Sequence, residues 1–185
     1  MLYLDTSLLV AALTREPHTE LAQAWLEVQD PERLLVSHLV ITEFSSALSL
    51  NIRTGQIDIG SKRQALAGFR NLLAESLTVV AVLPEHFMDA AKFVDQHILA
   101  LRTGDALHLA VTADKAAAMC TFDRRLADAA TALGIEVIFP RLALPPPTPV
   151  PLRPRRGPRA GQTRSPASAG SARAVRSRPR PARLP

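Results

Sequence analysis

Between residues 1 and 140 the sequence alternates short apolar runs with longer stretches whose apolar residues recur at helical spacing. No other feature restricts the fold so tightly. Strand-length runs fall at 2–5, 34–37, 77–82, 118–121 and 135–139. Helical patterns fill the gaps: one from Thr6 or Ser7, either of which can cap it, to Ala12, then 17–28, 39–53, 61–74, 85–97, 102–113 and 124–133. In the second helix Leu21, Ala24, Trp25 and Val28 share a face; in the third, Val40, Phe44, Ala47 and Leu48 do. Gly55 and Gly134 stand where helices stop. Strands separated by helices need crossover connections, which are right-handed and give parallel pairing. The expectation is an α/β fold of three layers: a central, mainly parallel five-stranded sheet with helices on both faces.

The pattern ends at Pro140. Residues 141–185 are dominated by Pro, Arg, Ala, Ser and Gly and hold 11 arginines and no acid. With few large apolar side chains to offset ordering entropy, this stretch is expected to be a disordered, solvated tail with local polyproline II character. Two domains of behaviour follow, 1–140 folded and 141–185 not. The net charge of +5 averages over them: residues 1–140 hold the other 11 of the 22 basic residues against all 17 acids. The front part is therefore about −6 and the tail +11. The tail suits non-specific contact with RNA phosphates, or has no dedicated role.

The single cysteine, Cys120, excludes an internal disulfide and a cysteine-based zinc site, and reads as inert core. There is no apolar stretch of membrane-spanning length, and MLYLDTSLL lacks the basic segment of a secretion signal. A cytoplasmic protein without membrane contact is expected.

Four carboxylates fall at element ends or in first helical turns. Asp5 follows the first strand and Asp123 the fourth; Asp105 opens a helix, and Glu43 lies about one turn inside its own. Open parallel sheets bind ligands at the carboxyl ends of their strands, so all four can face one crevice. Carboxylates gathered there repel, by about 4 kcal/mol for a pair at about 4 Å and an effective dielectric of roughly 20. Such a cluster takes up protons or binds cations, and hard oxygen ligands without thiols favour Mg²⁺ or Mn²⁺. These ions can drive phosphodiester hydrolysis by in-line displacement.

The blocks LDTSLLVA, VITEFSSAL, LRTGDALHLA and CTFDRRLADAA, in that order and spacing, resemble the PIN-domain family, and within it the VapC-type toxins of toxin–antitoxin operons. The likeness covers residues 1–140 and none of the tail. It implies an endoribonuclease requiring Mg²⁺ or Mn²⁺, leaving a 5′-phosphate and a 3′-hydroxyl. It also implies a homodimer, and a cognate antitoxin that occupies the toxin's groove. By the same resemblance Asp5 and Asp105 are the principal metal ligands, with Glu43 and Asp123 completing the acidic catalytic pocket. Thr6 and Thr121 correspond to hydroxyl positions that orient carboxylates or substrate. Arg102, Arg124, Arg125 and the tail arginines are candidates for phosphate contact. A folded RNA, tRNA or ribosomal RNA, is the expected substrate.

Each residue has a plainer reading. Asp5 can be a turn residue, Asp105 an acid favoured by the helix dipole, Glu43 part of a solvated face, and Asp123 a helix cap. His108 shares the face of Asp105 and reads as packing or as support behind the ligands rather than as a ligand. Trp25 reads as helix packing and Asp128 as a surface acid. Two other functions compete with the nuclease. A non-catalytic PIN domain, binding RNA or acting as a regulatory partner, would have no use for four mutually repelling acids. A dehalogenase-type phosphohydrolase would want a second aspartate where this chain has Ser7.

Overall fold

The computed structural model describes residues 1–140; the expected disordered basic tail lies outside the described residues. Five parallel strands form one sheet: β1 (Leu2–Leu4), β2 (Leu34–Ser37), β3 (Thr78–Val80), β4 (Ala118–Cys120) and β5 (Val137–Ile138). Their order is β3-β2-β1-β4-β5, with Leu2 opposite both Leu34 and Ala118. Seven α-helices connect them: α1 (Thr6–Leu13), α2 (Thr19–Glu27), α3 (His38–Arg53), α4 (Ile59–Glu75), α5 (Pro84–Val94), α6 (Thr103–Asp114) and α7 (Arg124–Ala132). Right-handed crossovers on a strand order that reverses place helices on both faces of the sheet. The expected α/β architecture is therefore the observed one.

The order turns at β1. The chain builds outward from β1 through β2 to β3, then returns to lay β4 on the other side of β1. A crevice opens where neighbouring strands send their connections to opposite faces, here above the carboxyl ends of β1 and β4. The Asp5 amide extends the ladder past β1 by donating to the Cys120 carbonyl at 3.0 Å. Asp5 is thereby fixed at the crevice by sheet pairing.

Aliphatic burial holds the sheet. Leu2, Leu4, Leu34, Leu35, Val36, Val40, Phe44, Leu109 and Met119 share one core, and the tilted rings of Phe44 and Phe69 pack with centroids 4.3 Å apart. Each such side chain contributes about 1.5–3 kcal/mol when fully buried. Helix α1 is buried along most of its length, which explains its run LLVAA. Gly55 adopts φ 71°, the left-handed turn expected at the end of α3.

The structure corrects some local expectations. The cap of α1 is Asp5 itself, whose side chain accepts from the Ser7 amide; neither Thr6 nor Ser7 caps it. Helix α2 buries Ala22, with Trp25 and Leu26 partly covered, while Ala24 is exposed and Val28 is 77% exposed. The covered face is thus rotated from the expected one: Ala22, Trp25 and Leu26 turn to the core, and Val28 falls past the end of the helix at Glu27. Helix α5 stops at Val94 and a separate 3₁₀ turn follows at His97–Leu99. Among the described residues no helix is long and apolar enough to cross a membrane.

Candidate active site

The end of β1, the start of α1, the first turns of α3 and α6 and the end of β4 meet at the crevice. Asp5 is 5% exposed. Its Oδ2 accepts three hydrogen bonds: from the Ser7 amide at 3.2 Å, the Ser7 hydroxyl at 2.6 Å and the Thr121 hydroxyl at 2.8 Å. Thr121 in turn accepts from the Asp123 amide at 2.9 Å. These bonds fix the carboxylate plane and leave Oδ1 turned toward His108, whose Nε2 is 3.7 Å away.

Glu43 reaches the same place from α3. Its Oε2 accepts from the Thr6 hydroxyl at 2.7 Å and is paired with His108 Nε2 at 2.7 Å. Its Oε1 lies against the first turn of α6, so close that a β-carbon at Gly104 would stand 2.7 Å from it. Any side chain at that position would have to displace the Glu43 carboxylate.

His108 is 2% exposed and bonded through both ring nitrogens, with Nδ1 2.8 Å from the Tyr3 hydroxyl. That hydroxyl is also 2.7 Å from the Ser37 hydroxyl. A chain of side chains therefore runs Ser37–Tyr3–His108–Glu43–Thr6, from the middle of the sheet to the crevice. Burial opposes a charge on His108. The hydrogen bond to Glu43 and the negative charges of Asp5, Glu43 and Asp105 outweigh it, holding the imidazole above its ordinary value. Burial likewise pushes the Glu43 carboxyl up, but the bond and charge of His108, with the Thr6 hydroxyl, hold it below the usual glutamate value. Burial, aided by the charges of Asp5 and Glu43, pushes Tyr3 well above its ordinary value, so its hydroxyl stays protonated. When His108 carries its second proton it donates to Tyr3 and to Glu43, and Tyr3 donates onward to Ser37.

The structure thus brings Asp5, Glu43 and His108 together, with ligand atoms all within 4.8 Å of one another. Asp105 and Asp123 stand outside that trio. Asp105 is half-buried in the first turn of α6, where its Oδ2 accepts from the Arg102 amide at 3.3 Å, and its charge reaches His108. Asp123 is exposed and caps α7, its Oδ1 accepting from the Arg125 and Leu126 amides at 2.8 and 3.2 Å. Arg102 and Arg124 are exposed, and Arg125 donates to the Ala100 carbonyl at 3.2 Å. Thr6 and Thr121 each bond a carboxylate of the trio.

Sequence reasoning missed Tyr3, Ser37 and Ser7. A tyrosine in a strand of otherwise aliphatic residues was the available signal for the first, since a buried phenol needs a polar partner.

The donor set fits a divalent cation. Asp5 Oδ1 and Glu43 Oε1 are left over after the hydroxyls and amides have been satisfied, and both are hard oxygens. His108 is engaged at both nitrogens and orients Glu43.

A family model described as PIN domain matches residues 2–132. The chain is 32% identical over 143 residues to "Ribonuclease VapC46" of Mycobacterium tuberculosis, an alignment covering 75% of this chain and 97% of that one. Among solved structures it is similar to the Mycobacterium tuberculosis toxin VapC20, described as cleaving the sarcin–ricin loop, with a TM-score of 0.58 and 22% identity over 70% of this chain and 95% of that chain. It is also similar to VapBC2 from Rickettsia felis, solved bound to a DNA fragment from their promoter, with a TM-score of 0.57 and 16% identity over 75% of this chain and 98% of that chain.

Proposed function

The chain belongs to the PIN-domain family, among the VapC-type ribonucleases, and from that premise we propose that it is a divalent-metal-dependent endoribonuclease and the toxin of a toxin–antitoxin pair. The observation that carries this reading is the approach of Asp5 and Glu43, with His108, to within 4.8 Å at the switch point of the sheet. Mg²⁺ or Mn²⁺ bound there supplies positive charge beside a phosphate and acidity for water. Asp5 and Glu43 would hold it, with Asp105 as the next carboxylate on the rim. Thr121 and Ser7 fix Asp5, while Thr6 and His108 fix Glu43, so the acids do not reorganise when a phosphate arrives. Asp123 caps α7 and acts on the site through the Thr121 hydroxyl that its amide contacts, or through water. Arg102 and Arg124 are placed to meet phosphates at the rim.

A folded RNA, tRNA or ribosomal RNA, is the substrate class we assign. The relative whose name records a ribonuclease and the neighbour described as cleaving the sarcin–ricin loop support it. A cognate antitoxin and a second copy of the chain are the protein partners, and the cytoplasm is the location. An exposed apolar row, Leu83, Phe87, Met88 and Val94, supports a protein contact along α5.

One observation favours a non-catalytic RNA-binding or regulatory domain instead. The His108–Glu43 pair offsets part of the repulsion among the acids without an ion, so the acids have a use in a metal-free scaffold. Incubating total RNA with the protein and Mg²⁺ or Mn²⁺ separates the two. Discrete fragments that vanish with chelator, and with Asp105→Asn, are expected; intact RNA under every metal condition would support the scaffold.

A further inference from the structure

We propose that His18 and Phe122 form a stacking platform for a nucleobase of the RNA bound at the acidic crevice; the inference rests on the nuclease reading for its substrate class. The two rings are nearly parallel, with centroids 4.9 Å apart and 22° between planes, and Phe139 meets Phe122 in an edge arrangement at 6.2 Å and 72°. In a chain with six phenylalanines, one tyrosine and one tryptophan, two of the eight, Phe122 and Phe139, meet here.

Phe122 is tied to the metal-site carboxylate by two hydrogen bonds. Its amide donates to the Ser7 hydroxyl at 3.0 Å, and that hydroxyl donates to Asp5 Oδ2 at 2.6 Å. The next amide, of Asp123, is held by Thr121, which also bonds Asp5. A base stacked here would belong to a nucleotide next to the phosphate at Asp5.

The His18 ring has no structural task that demands a histidine. It is exposed, it occupies the N-cap position of α2 without making a side-chain cap bond, and among the described residues it makes no hydrogen bond. Serine, threonine, aspartate or asparagine would serve the helix better. Its backbone, by contrast, is well fixed. Thr19 donates to the Thr14 carbonyl at 2.7 Å and accepts from the Glu16 amide at 2.8 Å, which holds the loop on either side of His18. The ring is thus held by a hydrogen-bonded loop, stacked on Phe122 and exposed to solvent.

The electrostatics give such a platform its purpose. The acids that favour an ion repel the phosphates of RNA, so contacts indifferent to that charge add affinity that the rim arginines alone do not supply. Stacking on an aromatic face is such a contact, and it accepts any base. Phe139 also lines an open cleft of about 750 Å³ together with Arg124, Asp128 and Thr131, where one cation and one acid face the same space.

The test uses the full chain and an RNA hairpin carrying 2-aminopurine at each loop position in turn, with chelator present so that the RNA stays intact. Wild type is expected to quench the probe at one position. His18→Ala should abolish that quenching and weaken binding by roughly tenfold, within the range that a base–aromatic stack supplies. His18→Phe should retain both, whereas His18→Leu, which keeps an apolar contact with Phe122 but offers no aromatic face, should behave as His18→Ala does. With Mn²⁺ the loss should appear in KM more than in kcat. Quenching and affinity unchanged in His18→Ala, or preserved in His18→Leu, would overturn the platform. Failure of wild type to cleave RNA with metal is read in a separate assay and bears on the nuclease reading alone.

Discussion

Replacing Gly104 by alanine isolates the contact that positions Glu43. The new β-carbon would stand 2.7 Å from Glu43 Oε1, nearer than real β-carbons approach an oxygen. A glutamate tip usually swings away from such a contact at little cost. Here its other oxygen is held by Thr6 and His108, both at 2.7 Å, so moving Oε1 means lengthening those bonds. Losing a hydrogen bond to a charged group costs about 1.5–3 kcal/mol. Against it stands the gain from alanine over glycine in a helix, about 0.4–1 kcal/mol. The difference is a destabilisation of roughly 1–2 kcal/mol, which lowers Tm by about 3–6 °C for a domain of this size. Activity should fall further than stability does, because a displaced Glu43 carboxylate would no longer stand where it can hold an ion together with Asp5; a change of 1.4 kcal/mol in the barrier is tenfold in rate. Thermal unfolding in chelator and RNA cleavage with Mn²⁺ measure the two effects. A variant that melts above wild type and cleaves at the wild-type rate would refute the argument, because the helix gain would then stand unopposed and the Glu43 position would not matter.

Other perturbations test the network behind the acids. Tyr3→Phe leaves His108 Nδ1 and Ser37 without their common partner in the sheet, and should lower stability by about 1–3 kcal/mol in urea unfolding; an unchanged midpoint would mean the hydroxyl chain carries no weight. Thr121→Val removes a donor to Asp5 and an acceptor for the Asp123 amide while keeping volume, so metal-dependent cleavage should drop about tenfold or more with only a modest fall in Tm. In chelator, stability should depend on pH with a plateau between two limbs. Glu43 is held below its ordinary 4.5, so its contribution is present above that value and fades as pH falls through the folded one. His108 is held above its ordinary 6.5, so its contribution is complete below that value and fades as pH rises through the folded one. Urea midpoints taken across pH should show the alkaline fall in wild type and lose it in His108→Gln; the same fall in both would assign it elsewhere.

Much of this molecule is legible in its sequence. The run at Leu34–Ser37 has the bounds of β2, and Gly55 ends α3 in the left-handed conformation, because both rest on local pattern and local sterics. Asp5 at the crevice followed from its place after an apolar strand. What the sequence withheld is non-local. His108 lies on a core-facing stripe of α6, and nothing in the helix period says that its two nitrogens meet Tyr3 from β1 and Glu43 from α3. Asp123 illustrates the limit from the other side. A carboxylate between a strand and a helix can turn into the crevice or back onto the helix amides; the spacing permits both, and here its side chain caps α7. The covered face of α2 is likewise set from outside the helix, where Ala22 packs on Ala11 and Ala12 of α1, a contact the periodicity of α2 does not contain.

The central claim is that Asp5 and Glu43 tolerate each other in the crevice as the two arms of a divalent-ion site. Thermal unfolding of wild type and of Asp5→Asn, each with and without Mn²⁺, tests it most directly, because an ion bound only to the folded state raises stability in proportion to RT ln(1 + [L]/Kd). The account predicts a clear rise in Tm for wild type and little or none for Asp5→Asn. An equal rise in both proteins would contradict it.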